Sequence, residues 1–315
     1  MNHGTIHDVA EWLDSARVFF GELSAAEARV YVELDRVDAF ADVALQGQVV
    51  GPHSDYSHTL KTTVPLRELS PGGTRLAAAF MPDPCFWTPL LPFVYTLDIS
   101  AIRDGVQVAV GTRAFGLRPL GVRGGDLFFD SKRIALRCVD ETLVTELSIE
   151  AFRETSTALL VRTADDELLE TCTRHGILAV VELPVDLATA PAALERLGRH
   201  VSAGIALLRP EAFTESLLRR KPRNLLLAAL VTDPAAAPPE ADVIAQVADS
   251  PQTFSSTWHD MAKPIIAVLN SRESAPVEEL RRQCDALQAA LAGHGRLAGY
   301  VIRNGDARPL RGATN

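Results

Sequence analysis

From Ala28 to about Val122, polar and apolar positions alternate in short runs, and no stretch there sustains a helical period. Seven runs read as strands: Arg29 to Leu34, Val43 to Val50, His58 to Leu66, Leu76 to Phe80, Phe93 to Ile99, Val106 to Val110 and Thr112 to Leu120. A half-buried strand repeats every second residue and is punctuated by turn residues. Ser70-Pro71-Gly72-Gly73 and Asp104-Gly105 offer the positive-φ positions that tight connections need. Seven short strands predict one immunoglobulin-like β-sandwich.

Beyond Gly124 the rhythm changes to short, wholly apolar runs alternating with amphipathic helices, the pattern of parallel strands buried on both faces. Eight such runs occur: Ile134 to Val139, Ala158 to Val161, Ile177 to Leu183, Gly204 to Leu208, Asn224 to Val231, Val243 to Val247, Pro264 to Leu269 and Leu297 to Ile302. Between the second and third, Thr163 reads as a helix cap three residues ahead of Asp166, and Gly176 as the stop. The last helix carries Val277, Leu280, Cys284, Leu287 and Leu291 at helical spacing. The Pro- and Ala-rich stretch Asp233 to Pro239 reads as a loop. Eight β/α units predict a compact (β/α)8 TIM-type barrel, with an open doubly wound sheet as the alternative. The expected organisation is an extension (1–27), a sandwich (28–123), a barrel (124–308) and a tail (309–315). Within the extension, Val9, Trp12 and Leu13 can share a helical face.

A length of 315 residues fits two domains, and 47% hydrophobic with 23% charged residues is a globular balance. The net charge of −9, with arginines scattered through both halves, argues against nucleic acid as a partner. The first residues hold no apolar h-region and no run reaches membrane-spanning length, so the expectation is a soluble, cytoplasmic protein. Cys85, Cys138, Cys172 and Cys284 lie far apart, and no histidine pair has ligand spacing, so neither a metal nor another cofactor is expected.

One segment is more specific. Cys85-Phe86-Trp87-Thr88-Pro89 followed by Pro92-Phe93-Val94-Tyr95 resembles the tryptophan, serine or threonine, proline signature in the sandwich of the family 2 glycoside hydrolases. Gly116-Leu117-Arg118 is similar to that family's glycine-aromatic-arginine strand, and Leu127 to Val139 to its entry into the barrel, with Asp130-Ser131 and Cys138 as departures. The resemblance implies β-galactosidase-, β-mannosidase- or β-glucuronidase-like ancestry and a carbohydrate partner. The jelly-roll domain that precedes the sandwich in that family has no counterpart in the 27 residues before Ala28.

A retaining glycosidase places two carboxyl groups about 5 Å apart at the C-terminal ends of barrel strands, one as acid/base and one as nucleophile. By the resemblance Glu211 matches the acid/base position, with Pro210 in place of the preceding asparagine, and Leu269 falls at the nucleophile position after Lys263-Pro264. An isobutyl group cannot form a glycosyl ester. The implied function is therefore a degenerate glycosidase that keeps a carbohydrate-binding cleft. The alternatives are an active enzyme with a displaced second carboxylate and an interaction module with a filled pocket. Further residues expected at the mouth are Asp140, Glu141, Arg162, Asp165, Glu182, Asp233, Asp249, Asn270, Glu273 and Arg303. Arg162 also matches an arginine of the family's sugar pocket. Trp258 is balanced between core packing and a stacking platform.

Overall fold

A computed structural model describes residues 6–305, apart from 36, 71–73, 163–164, 185, 187, 255–257, 259–260 and 296. The chain divides into one unit ending at Arg118 and a second beginning at Pro119.

The first unit opens with helix α1 (Ile6–Asp14), followed by β1 (Arg17–Leu23), β2 (Glu27–Leu34), β3 (Ala44–His53), β4 (Thr62–Ser70), β5 (Arg75–Pro82), β6 (Val94–Arg103) and β7 (Val106–Phe115). The strands pair antiparallel in the order β1-β2-β5-β4-β3-β6-β7. Strand β4 joins two halves, because Thr62 to Leu66 pair with β3 whereas Arg67 to Ser70 pair with β5. Alternation sets the inner faces: Ala28, Val30, Val32 and Leu34 on β2 share one buried cluster with Tyr95, Leu97, Ile99 and Ala101 on β6. Tyr95 anchors the connection before its own strand. Its hydroxyl accepts from Cys85 N–H at 2.8 Å and donates to the Cys85 carbonyl at 3.2 Å, and burial pushes the phenol pKa up.

Two features depart from the sequence reading. The segment read as an extension contributes α1 and β1, with Val9, Trp12 and Leu13 buried in the same cluster and the Trp12 indole N–H donating to Asp35 O at 2.8 Å. Strand β1 leaves most of its positions half-buried, so it carries no clean alternation to read. The runs Val106 to Val110 and Thr112 to Leu120 fuse into the single strand β7, since Gly111 sits within the ladder opposite Ile99 with its open Cα beneath Leu13. The Pro71 to Gly73 turn lies outside the described residues.

The second unit begins with a small antiparallel sheet, β8 (Leu120–Arg123), β9 (Asp126–Phe129) and β10 (Lys132–Ile134). Eight parallel strands follow and close into a barrel: β11 (Leu136–Asp140), β12 (Ala158–Val161), β13 (Ala179–Glu182), β14 (Ala203–Leu208), β15 (Leu226–Val231), β16 (Val243–Ala248), β17 (Ile265–Ser271) and β18 (Gly299–Asn304). Closure removes the open-sheet alternative. The helices between them are α2 (Ile149–Glu154), α3 (Asp166–His175), α4 (Ala190–Leu197), α5 (Glu215–Arg219) and α6 (Val277–Ala290). Helix α3 is capped by Asp165, which accepts from the N–H groups of Glu167 and Leu168, and ends on Gly176 at φ 73°. Thr163, the expected cap, lies outside the described residues, as does the 309–315 tail.

Among the described residues no α-helix stands between β15 and β16 or between β16 and β17; short 3-10 turns at Pro234–Ala236 and Pro251–Thr253 occupy those links. The large buried cluster lies outside the strands, where Val139, Val161, Val181, Ala206, Ala229, Ala267 and Ile302 meet Phe152, Leu169, Leu194, Leu217 and Leu280. At the N-terminal end, a side chain on Gly204 would come within 2.6 Å of Leu178 and 2.9 Å of Leu120, so glycine makes room there for both leucines.

Replacing Tyr95 with phenylalanine keeps the ring and removes both links to Cys85; a loss of about 1 kcal/mol is expected in urea unfolding, the net value of such a bond.

Candidate functional site at the C-terminal end of the barrel

In the outer cluster Val139, Val161, Ala267, Leu269 and Ile302 share one strand parity. The intervening residues at the C-terminal ends, Asp140, Arg162, Glu182, Asn270 and Arg303, therefore converge inside.

They form one connected network. Arg162 donates Nε and Nη2 to Asp140 Oδ2 at 2.9 and 2.5 Å and Nη2 to Asn304 O at 2.6 Å. Its Nη1 lies 3.6 Å from Glu182 Oε2. Arg303 grips Glu182 in fork geometry, Nε to Oε2 at 2.9 Å and Nη2 to Oε1 at 2.7 Å, and gives Nη1 to Asn270 Oδ1 at 3.2 Å. Asn270 Nδ2 continues to Asp249 Oδ1 at 2.7 Å. The four charged side chains are almost dry, at 0% exposure for Asp140, 8% for Arg162, 11% for Glu182 and 8% for Arg303. Two negative and two positive groups cancel, which is how a buried set of charges is tolerated. For Arg303, burial works against the charge, but the Glu182 hydrogen bonds and charge prevail and raise its pKa.

Asp140 has no spare acceptor. Its Oδ1 takes Thr142 N–H at 3.0 Å and Thr142 Oγ1 at 2.8 Å, and its Oδ2 also takes Asn304 N–H at 2.9 Å. Asn304 Nδ2 donates to Thr142 Oγ1 at 3.0 Å. Thr142 and Asn304 were not among the residues expected from sequence. Their available signals are a threonine two positions after a strand-ending aspartate, a cap spacing, and an asparagine directly after Arg303.

The other expected residues scatter. Glu141 turns to the main chain, accepting Arg162 N–H at 2.9 Å, and lies close enough to α3 to influence the Cys172 thiol. Burial lifts its carboxyl above the ordinary value of 4.5, and the Arg162 N–H opposes this only in part. Glu211 sits in the 3-10 turn Pro210–Ala212, exposed and without a hydrogen bond or ion pair among the described residues. Leu269 packs on the outer cluster, and the inward residue of that strand end is Asn270. Asp233 is exposed and caps its own turn by accepting Ala235 N–H at 3.0 Å, while Glu273 is exposed on the loop after β17. Trp258 is a core residue with 5% exposure, so no open ring face is available for stacking. It meets Phe254 edge-on and His294 at 5.7 Å each and donates its indole N–H to Gln246 Oε1 at 2.5 Å. Among the described residues no group of three or more His, Cys, Asp or Glu side chains is disposed to hold a metal ion.

Two outcomes follow from this geometry. Asp140→Ala strips Arg162 of its main counter-ion and should cost about 3–5 kcal/mol in urea unfolding, more than the double variant Asp140→Leu/Arg162→Met, which removes both charges. Because the Glu141 pKa is higher folded than unfolded, its contribution to stability falls as pH rises through and above 4.5. Glu141→Gln keeps an acceptor for Arg162 N–H, so it should be the more stable form at neutral pH, with the difference vanishing below the unfolded carboxylate value. Unfolding midpoints measured on either side of that value check this.

No protein-family model and no curated protein matches the chain. Solved structures do. A Bifidobacterium dentium β-glucuronidase complexed with coumarin-3-O-glucuronide superposes with a TM-score of 0.66 at 12% identity, covering 92% of this chain and 60% of its own. A glycosyl hydrolase family 2 member from Bacteroides cellulosilyticus gives 0.64 at 14% identity, covering 92% and 43%, and a Parabacteroides merdae β-glucuronidase gives 0.63 at 13%, covering 92% and 46%. The chain thus spans less than two thirds of these proteins. With an antiparallel β-rich unit and a closed eight-stranded parallel barrel matched over 92% of its length, this chain has a family 2 glycoside hydrolase-like fold.

Proposed function

We propose that this chain is a non-hydrolytic glycosidase-like protein, an immunoglobulin-like sandwich followed by a TIM-type barrel, that recognises carbohydrate without cleaving it. The sandwich assignment is supported by the two half-sheets β1-β2-β5-β4 and β3-β6-β7 and by the Tyr95 hydroxyl holding the chain ahead of its own strand. The proposed loss of hydrolysis rests on one observation: among the described residues, the two carboxylates inside the barrel mouth, Asp140 and Glu182, accept hydrogen bonds from Arg162 or Arg303. A carboxylate gripped by a guanidinium is held ionised, so it does not carry the proton an acid must deliver, and it is oriented toward its arginine instead of toward a bound sugar. The end of β17, the seventh barrel strand, offers Leu269 outside and Asn270 inside, and neither is a nucleophile for this chemistry. A lone exposed Glu211 lacks the partner that double displacement requires.

Carbohydrate recognition is supported by the glycosidase neighbours and by the polar rim, where exposed Asp249 and half-buried Asn270 lie beside Arg303. A pyranose would be held there by hydrogen bonds at the edge of the network, with no need to break the buried pairs.

A panel of aryl glycosides, including glucuronides and galactosides, should give no turnover above buffer with the purified chain. Turnover that Glu211→Gln abolishes would overturn the non-hydrolytic reading. For binding, a sugar present at 100 times its Kd stabilises the folded state by about 2.7 kcal/mol. A thermal upshift with at least one sugar, lost in Asn270→Ala, is the expected result, and no shift across the panel counts against carbohydrate recognition.

A further inference from the structure

We propose that the outer face of strands β2, β5 and β4 binds an acidic oligosaccharide, at a site separate from the barrel. A groove of about 470 Å³ opens on this face of the first unit. Register explains its shape. Tyr31 of β2 and Arg67 of β4 both lie opposite Ala78 of the intervening β5, and Arg29 of β2 lies opposite Phe80 of β5. Ala78 is thus a small residue surrounded by long ones, and the missing side-chain volume forms the floor. Phe80 is 50% exposed, and Tyr31 is stacked on Phe19 with ring centroids 5.3 Å apart, which fixes its plane.

Charge selects the ligand. Arg29 and Arg67 are exposed, and their side chains make no hydrogen bond or ion pair among the described residues. Of the acids on these strands and their neighbours, Glu33 pairs with Arg17 at 3.2 Å and Glu68 with Arg75 at 3.5 Å, while Glu27 and Glu22 are exposed and make no ion pair with Arg29 or Arg67. Two guanidinium groups thus flank an apolar floor with no direct ion-pair partner among the described residues, on a protein of net charge −9. They stand on strands separated by β5 and two residues apart along it, about 12 Å between their Cα positions from two strand spacings and two residue rises, a span that a chain bearing repeated anionic groups can bridge.

The side chains of the groove suit a sugar: aromatic rings for its C–H faces, guanidinium forks for carboxylate or sulfate.

Titration calorimetry of the full chain with oligogalacturonate, a heparin-derived oligosaccharide, a neutral oligogalactoside of matched length and polyglutamate of matched charge tests this. At least one acidic oligosaccharide should bind about tenfold more tightly than the neutral chain and polyglutamate. Arg29→Gln and Arg67→Gln should each weaken it by about tenfold, with unchanged melting midpoints, and Ala78→Trp should abolish it. Asn270→Ala, at the barrel rim, should leave it intact. Failure of both acidic oligosaccharides to bind, equal binding of polyglutamate, insensitivity to the groove variants, or loss in Asn270→Ala would each overturn the proposal.

Discussion

The contact between Asp140 and Arg162 is the one on which the barrel's upper end depends. Asp140 ends the first strand, Arg162 follows the second, and both reach the last strand through Asn304, one accepting its N–H and the other donating to its carbonyl. Parallel strands close a barrel only if the first and last meet in register, and here a fully buried carboxylate fixes that meeting. Glu182 and Arg303 extend the tie across the interior. Such a set holds together because every member is satisfied; its worth lies in specifying one arrangement more than in net stability.

The same satisfaction bears on the proposed function. The charged side chains at this end pair with one another, and the inner edge of β17 ends in an amide that joins the network through Asp249. A fold can keep its architecture while the groups at its functional end are rearranged into structural partners, which is why the likeness to glycosidases speaks to fold and the reading of function comes from the site.

Much of the architecture was legible because its signals are local. The eight apolar runs of the second half each overlap a barrel strand, and Ala158 to Val161 matches its strand at both ends. Strand parity was not legible: runs such as Ile265 to Leu269 are apolar on both faces, so nothing in them says that Leu269 turns outward and Asn270 inward. The mouth residues were visible one by one as polar strand ends, but their pairing joins positions 21 to 164 apart in the chain, and no spacing rule reaches that far. Strand β1 and the fused β7 were missed for the opposite reason, local patterns blurred by half-exposure and by a glycine that does not turn.

The barrel wall is uneven. Where β15, β16 and β17 lack intervening α-helices, Phe254, Trp258 and His294 form an aromatic wedge, pinned by the indole bond to Gln246, that shields the strands from water. Rings on a connecting segment shield through a few large contacts, whereas a helix spreads its cover over several turns, so this flank is where the wall can open as a unit. Amide exchange would begin in β16, and a change in that one connection could loosen the flank while the opposite side, backed by α3 and α4, stays closed.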